Sequence, residues 1–572
     1  MLEKIMKYLY YGLFLITPLL VLPNTSELFE FNKILFIYAV TAIVAFVWLL
    51  QMIRRKRIIF RKTFLDIFII LFVTAQLFST IFSIDIHTSL FGYYGRFNGG
   101  MFSIISYLIL FYAFVSHFDS SFVGRLLKLS LIASFVVILW GIPGKLGHDM
   151  SCLLFTGQFS NGCWTSQFHP DVRMFSTLGQ PNWLGAYLAM NFFIGLYFLI
   201  RNKLGKGNDA RYVERQKETL PNFFTETGFV TVTLYFYLVL NFVAILFTRS
   251  RSSMAAVLIG LTVFIILLFL TQRKLFDKQL FKRFGILLLV FGLAILIFKT
   301  GIEKVDKYIT LNTYFPNRVE HAQPLRNKIV SQPDDITDSF DIRKIVWRGA
   351  AELGKKFPVL GTGVETFAYS YYFVRPQTHN MVSEWDFLYN KAHNEYLNYL
   401  ATTGFTGLIA YSLLVISVGF LFLGIIFNFQ FSIFNQFLNN KNSKNKEKKD
   451  PIANNQLLII SLLAAYVTIL VTNFFGFSTT IINLFFYLIP ALIIVHMRQS
   501  NEKIIKVKET KIKTDRKQKL FIGILSLIGI YVILSLIRYY LADTSYTLAE
   551  KYAAANDYRA EAKLLEQALS LR

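Results

Sequence analysis

A histidine and three arginines in this chain have the residue types for proton and anion chemistry. His393 opens the stretch HNEYLNYLATTGFTG (393–407) and is followed by Asn394. An imidazole titrates near neutrality, so it suits proton transfer to or from a hydroxyl; a histidine resting at a membrane surface fits the same letters. The stretch TRSRSS (248–253) puts Arg249, Arg251 and Ser252 at the start of an apolar run. A helix N-terminus is the wrong end for a cation, because its dipole is positive there. Arginines, serine hydroxyls and free N–H groups together form an anion site, suited to a lipid phosphate or diphosphate. Snorkelling to lipid headgroups is the alternative. Arg343 and Arg348 lie in the amphipathic stretch IRKIVWRGAAELGKK (342–356), where a solvated cationic face is the plainer reading of a lone arginine. Glu395 falls on a different helical face from His393 and is not paired with it. His379-Asn380 is a second such pair, without a helical stripe around it. No group of histidines, cysteines and carboxylates has metal-ligand spacing, and no phosphate-binding glycine loop or nucleophile elbow is visible.

The elements that must position these residues are membrane spans. Of 572 residues, 54% are hydrophobic, in runs of about twenty, the length that crosses a bilayer core. Spans are expected at 8–23, 34–53, 64–83, 101–117, 126–142, 183–200, 229–248, 254–271, 284–299, 405–427, 456–475, 479–497 and 520–541. The fold class is therefore all-α, a polytopic helix bundle of about 12–13 spans with a large loop between spans 9 and 10. Taken as one helix, 393–407 sets His393, Leu397, Leu400, Gly404 and Gly407 on one stripe. The glycines then let another helix close in beneath the histidine. The first apolar run follows Lys4 and Lys7 without a small-residue cleavage site, so it stays as a span.

Net charge is +24, but the basic residues sit in loops on alternate sides, as the positive-inside rule expects, which argues against nucleic acid. The cytoplasmic loops are 54–62, 201–226, 272–283, 428–455 and 498–519, with the N-terminus inside. Two long loops then lie outside. One, 143–182, holds Cys152 and Cys163, which either pair in an oxidising compartment or remain thiols. The other, 300–392, is expected to cap the outer end of the bundle with short helices. Residues 1–541 form the membrane domain. Residues 542–572 read as helix, turn at Asn556–Asp557, helix, with the small-residue spacing of a tetratricopeptide repeat. A single repeat cannot bury its own apolar face, so it docks on the membrane domain, meets a protein partner, or continues in a longer chain.

His393-Asn394 followed by GFTG at 404–407 resembles the signature of the O-antigen ligase superfamily, which includes O-antigen polymerases and protein O-oligosaccharyltransferases. LGQPNWLGAYL (178–188, with Asn182), Ser250-Arg251 opening a span, and RKIVW (343–347, with Trp347) before PVLGTG (358–363) agree in order and spacing. The resemblance covers about residues 170–430 by motif and 1–500 by topology. It implies a metal-independent, inverting membrane glycosyltransferase without a cofactor, working in cell-envelope polysaccharide biosynthesis. Its donor would be a glycan on a polyprenyl (undecaprenyl) diphosphate. Its acceptor would be a hydroxyl on a glycan, lipid or protein, outside the bacterial cytoplasmic membrane. Carried over, Arg251 meets the diphosphate, Arg343 is the loop arginine and His393 stands at the acceptor; Arg249 is included by position alone. The thirteenth span and the repeat depart from a simple ligase and leave the acceptor open. A polymerase of the same family and a transporter of lipid-linked glycan are the rival readings. Charges gathered at one membrane surface, with no internal repeat, speak against the transporter.

Overall fold

The computed structural model describes residues 2–164, 168–204, 227–273, 278–309, 339–427, 452–497 and 515–571. Among the described residues the regular structure is helical, with no strand. Among the described residues nine helices are long and apolar enough to cross a membrane, and Asp66–Ile81, Met101–His117 and Phe284–Phe298 are shorter apolar helices. With Leu2–Leu15, these account for every span expected from the sequence. The protein is a polytopic helical membrane protein. Residues 205–226, 428–451 and 498–514, which carry much of the expected charge asymmetry, lie outside the described residues, as does 310–338 of the large loop.

The centre of the bundle is the Pro181–Leu204 helix, whose apolar window is buried throughout. Its sequence is apolar on every face, as a helix surrounded by helices requires. Pro181 occupies the first position, where a missing N–H costs nothing. Thr227–Thr248, Arg251–Thr271 and Ile452–Phe474 pack around it. Gly185 brings one neighbour close: a Cβ there would lie 2.3 Å from Ser253 Oγ. Elsewhere Glu395–Ile426 packs on Asp66–Ile81, Thr480–Met497 on Met101–His117, and Arg516–Ala554 on Glu30–Arg55. The apolar window of Arg516–Ala554 is not buried against the protein, as a peripheral, lipid-facing helix would be.

The structure corrects the sequence in three places. The first helix stops at Leu15 rather than near 23, because Pro18 sits in a 3-10 turn, Thr17–Leu19, and cannot continue the α-helix. The helix of the last expected span does not stop at 541: Arg516–Ala554 is one helix, so the C-terminal segment begins as its continuation. It turns at Asn556, where φ is +61°, and returns as Tyr558–Leu571.

The third correction concerns 393–407. The helix begins at Glu395, with Asn394 as its N-cap, and breaks at Gly404, where φ is +65° and ψ −168°. His393 stands before the helix at φ +52°, so it shares no stripe with the glycines. The break leaves two N–H groups without their helical acceptors, and a loop supplies them. Phe405 N donates to Pro358 O at 2.7 Å and Thr406 N to Val359 O at 3.4 Å. The same loop donates Gly363 N to Thr402 O at 2.8 Å. The close approach at Gly404 is thus made by the PVLGTG backbone, not by a neighbouring helix. A Cβ on Gly404 would lie 2.5 Å from the Val359 carbonyl carbon, and one on Gly407 1.8 Å from Thr403 Oγ1.

In the 143–182 loop, Cys152 and Cys163 are joined as a disulfide with Cα atoms 5.3 Å apart. This settles the alternative left open by the sequence.

Candidate functional site

One pocket at an end of the bundle gathers much of the predicted chemistry. Gln180, Asn182, Ser252, Arg343, His393 and Asn473 line it, with Trp183 and Phe477 as aromatic walls. These residues come from distant parts of the chain. Asn182 is on the first turn of the central helix, Ser252 on the first turn of Arg251–Thr271, and Arg343 on Ser339–Lys356.

His393 is fixed from several sides. Its ring meets Tyr389 edge-on at 5.4 Å and Phe477 at 5.3 Å between centroids. Its carbonyl accepts from Trp347 Nε1 at 3.4 Å. Asn394 Oδ1 accepts from Leu397 N at 3.0 Å and so anchors the helix that follows. The left-handed backbone at a non-glycine residue stores strain on the order of 1–3 kcal/mol, which neighbouring contacts must hold. Burial, and then the charges of Arg343 and Arg96, push the imidazole pKa down to about 3. His393 is therefore neutral at physiological pH, the form that accepts a proton.

The cationic side begins at Ser250, which caps Arg251–Thr271 by accepting from Ser253 N. Its Oγ lies 3.2 Å from Ser252 Oγ and 2.8 Å from Ser253 Oγ. Arg249 holds φ at +50° just before the cap and packs its stem against Gly301. The side chains of Arg249 and Arg251 are exposed and are not among the pocket-lining residues. Arg343 does line it, with Nη1 donating to Phe475 O at 2.9 Å; it is not a solvated surface arginine, whereas Arg348 is exposed.

Two further arginines escaped sequence reasoning. Arg173 donates from Nε to Thr248 O at 3.1 Å and from Nη2 to Asn182 Oδ1 at 3.2 Å, tying the arginine hairpin to the central helix. Burial, then Arg343, Arg249 and Arg251, lower its pKa from the usual arginine value. Like charges brought this close repel, and a bound anion relieves that repulsion. Arg96 lays its guanidinium over Trp183 at 5.1 Å and Phe477 at 5.6 Å. The available signal was an isolated arginine in each of two loops otherwise poor in basic residues. His379 is excluded from this site: it is fully buried, with Nδ1 2.8 Å from the Tyr371 hydroxyl. Among the described residues no group of three or more histidines, cysteines and carboxylates is placed to hold a metal ion.

The fold and site are those of a helical membrane bundle in which a neutral histidine and Arg343 share one pocket, with Arg96 and Arg173 packed against residues that line it. Residues 236–412 match the model of the O-antigen ligase family, and it is this part of the chain that is similar to that family. The match spans less than half of the chain, but it includes Arg249, Arg251, Arg343, His393, Gly404 and Gly407. No curated protein matches the chain.

Proposed function

We propose that the protein transfers a glycan from a polyprenyl-diphosphate carrier to an acceptor hydroxyl, on the outer side of the bacterial cytoplasmic membrane, with inversion at the anomeric carbon. The observation that carries this is the pocket itself, where a neutral His393 faces Arg343, Ser252 and Asn182, with Arg173, Arg249 and Arg251 in electrostatic reach.

In the reaction the acceptor O–H gives its proton to the imidazole while its oxygen attacks the anomeric carbon. The bond from that carbon to the diphosphate oxygen breaks, and the electron pair leaves with the diphosphate. Arg251 and Arg343, supported by Arg249, Arg173 and Ser252, meet the growing charge; fixed guanidiniums stabilise it more in the transition state than in the ground state. The same anion acts on the base. By offsetting the arginine field that depresses His393, a bound diphosphate raises the imidazole's basicity when a proton must be taken. The C-terminal helical hairpin, read as a tetratricopeptide-like unit, would present an acceptor or meet a protein partner.

The test is glycan transfer by the purified protein in nanodiscs, from a polyprenyl-diphosphate glycan to a panel of glycan, lipid and peptide acceptors. Wild type should form product, and His393→Ala and Arg251→Ala should form far less of it. The acceptor used separates a ligase from a polymerase. Undiminished product from both variants would overturn the site, and movement of lipid-linked glycan across vesicles without any transfer would overturn the reaction.

A further inference from the structure

A second polar cavity lies close to the first and has no part in the chemistry above. Gln76, Glu365, Glu395, Asn398, Tyr399 and Thr402 line it, and it has room for a body the size of a water molecule. Phe477 joins the two sites. Its ring is 5.3 Å from that of His393 and 5.6 Å from Lys391 Nζ, and Lys391 binds Glu365 Oε1 at 2.7 Å.

The polar atoms here do not balance. Gln76 is fully buried, and neither its Nε2 nor its Oε1 has a hydrogen-bond partner; Glu365 Oε2 and Glu395 Oε2 are also buried without one. Three acceptor oxygens therefore face one amide donor group. A buried amide left unpaired costs roughly 1–3 kcal/mol, so the native cavity must hold something that satisfies these atoms. It must donate hydrogen bonds or carry positive charge. The facing charges set how much. Glu365 is matched by Lys391. Glu395 adds one further carboxylate. The remaining groups are neutral: Gln76 from Asp66–Ile81, Tyr107 from Met101–His117, Asn483 and Tyr487 from Thr480–Met497.

We propose that this cavity binds one small monovalent cation, a sodium ion or a proton carried by Glu395, between the unpartnered oxygens of Glu395, Glu365 and Gln76. Hard oxygen ligands suit a hard cation, one unmatched carboxylate suits a single charge, and the small space disfavours potassium. Glu395 is the first residue of its helix and stands two positions after His393. Occupancy therefore steadies the helix start on which the histidine is mounted.

The experiment is thermal unfolding of the purified full chain in sodium, potassium and choline chloride at equal ionic strength, at pH 5.5 and 8. It needs no glycan, so its outcome is separate from that of the transfer reading. At pH 8 sodium should raise Tm by a few °C over potassium and choline, as a ligand binding the folded state does. The gain should shrink at pH 5.5, where a proton competes. Glu395→Gln should abolish the sodium difference. Gln76→Met, which removes the orphaned amide without removing a charge, should weaken it and serves if the first variant does not fold. Equal Tm in all salts, with a pH dependence that Glu395→Gln reduces, assigns the cation as a proton. Equal Tm in all salts with the same pH dependence in wild type and both variants overturns the proposal.

Discussion

His393 shows how a residue's surroundings set its chemistry. Its folded pKa, about 3, lies far below the roughly 6.5 of an unperturbed imidazole. An unfolded chain therefore takes up a proton between those values that the folded chain refuses. The stability contribution is fully present above pH 6.5 and is lost as pH falls towards 3, by roughly 1.4 kcal/mol per unit in that window. Thermal melts at pH 7.5 and 5.5 should show a drop for wild type that is clearly smaller for His393→Gln; equal drops would refute the assignment. For activity, the acidic limb of kcat/KM reports the free enzyme and should lie well below pH 6. The limb of kcat reports the substrate complex, where the diphosphate offsets the arginines, and should lie higher. Coincident limbs would show that the anion does not tune the base. His393→Ala should lower transfer about 10²–10⁴-fold, the range of general base catalysis. Arg343→Lys keeps the charge but loses the planar fork that holds Phe475 O. A fall of about tenfold or more in kcat, measured at saturating donor, is expected; wild-type kcat would return Arg343 to a surface role.

At the scale of elements, the spans were legible because a bilayer demands about twenty apolar residues in a row, and few other structures show that pattern. Motif order singled out Arg343 and His393, which the fold brings into one pocket, and Arg251, which it leaves exposed next to the pocket-lining Ser252. The shape of 393–407 was not. Helical periodicity can be read through a glycine, but Gly404 adopts φ +65° and ψ −168°, a region that essentially only glycine enters. What selects that conformation is the docking of 358–363, a contact distant in sequence. Arg96 and Arg173 were missed for the same reason: each is brought from a separate loop against a pocket-lining residue by tertiary packing. Gly404→Ala tests the break directly. A Cβ would press on the Val359 backbone and the backbone angle would be strained, so a loss of at least ~2 kcal/mol is expected. Melting temperature in detergent is the measurement. An unchanged value would mean the helix can run straight, as the sequence alone proposed.

At the scale of the whole molecule, the C-terminal helix reaches the site without touching it. Asp543 is buried on Arg516–Ala554. Its Oδ2 accepts from Ser26 N at 2.9 Å, and its Oδ1 from Ser26 Oγ at 2.6 Å and from the Tyr94 hydroxyl at 3.3 Å. Tyr539 and Tyr546 of the same helix meet Phe97 at 5.3 Å and Tyr94 at 6.0 Å. Arg96, the cation over Trp183 and Phe477, lies between those two anchor residues in sequence. The helix that carries the terminal hairpin therefore also clamps the loop whose Arg96 packs on two walls of the pocket, Trp183 and Phe477. Asp543→Ala leaves Ser26 N without its acceptor and loosens that clamp, while every pocket-lining residue remains. Small misplacements at a reacting centre can cost up to about 10²-fold, so transfer should fall roughly tenfold. Lys551→Ala, an exposed change on the same helix, should leave transfer at the wild-type rate. If Asp543→Ala also retained the wild-type rate, the clamp would be a matter of stability alone. If it fell, a partner engaging the hairpin would have a physical route to the pocket through Asp543 and the Arg96 loop.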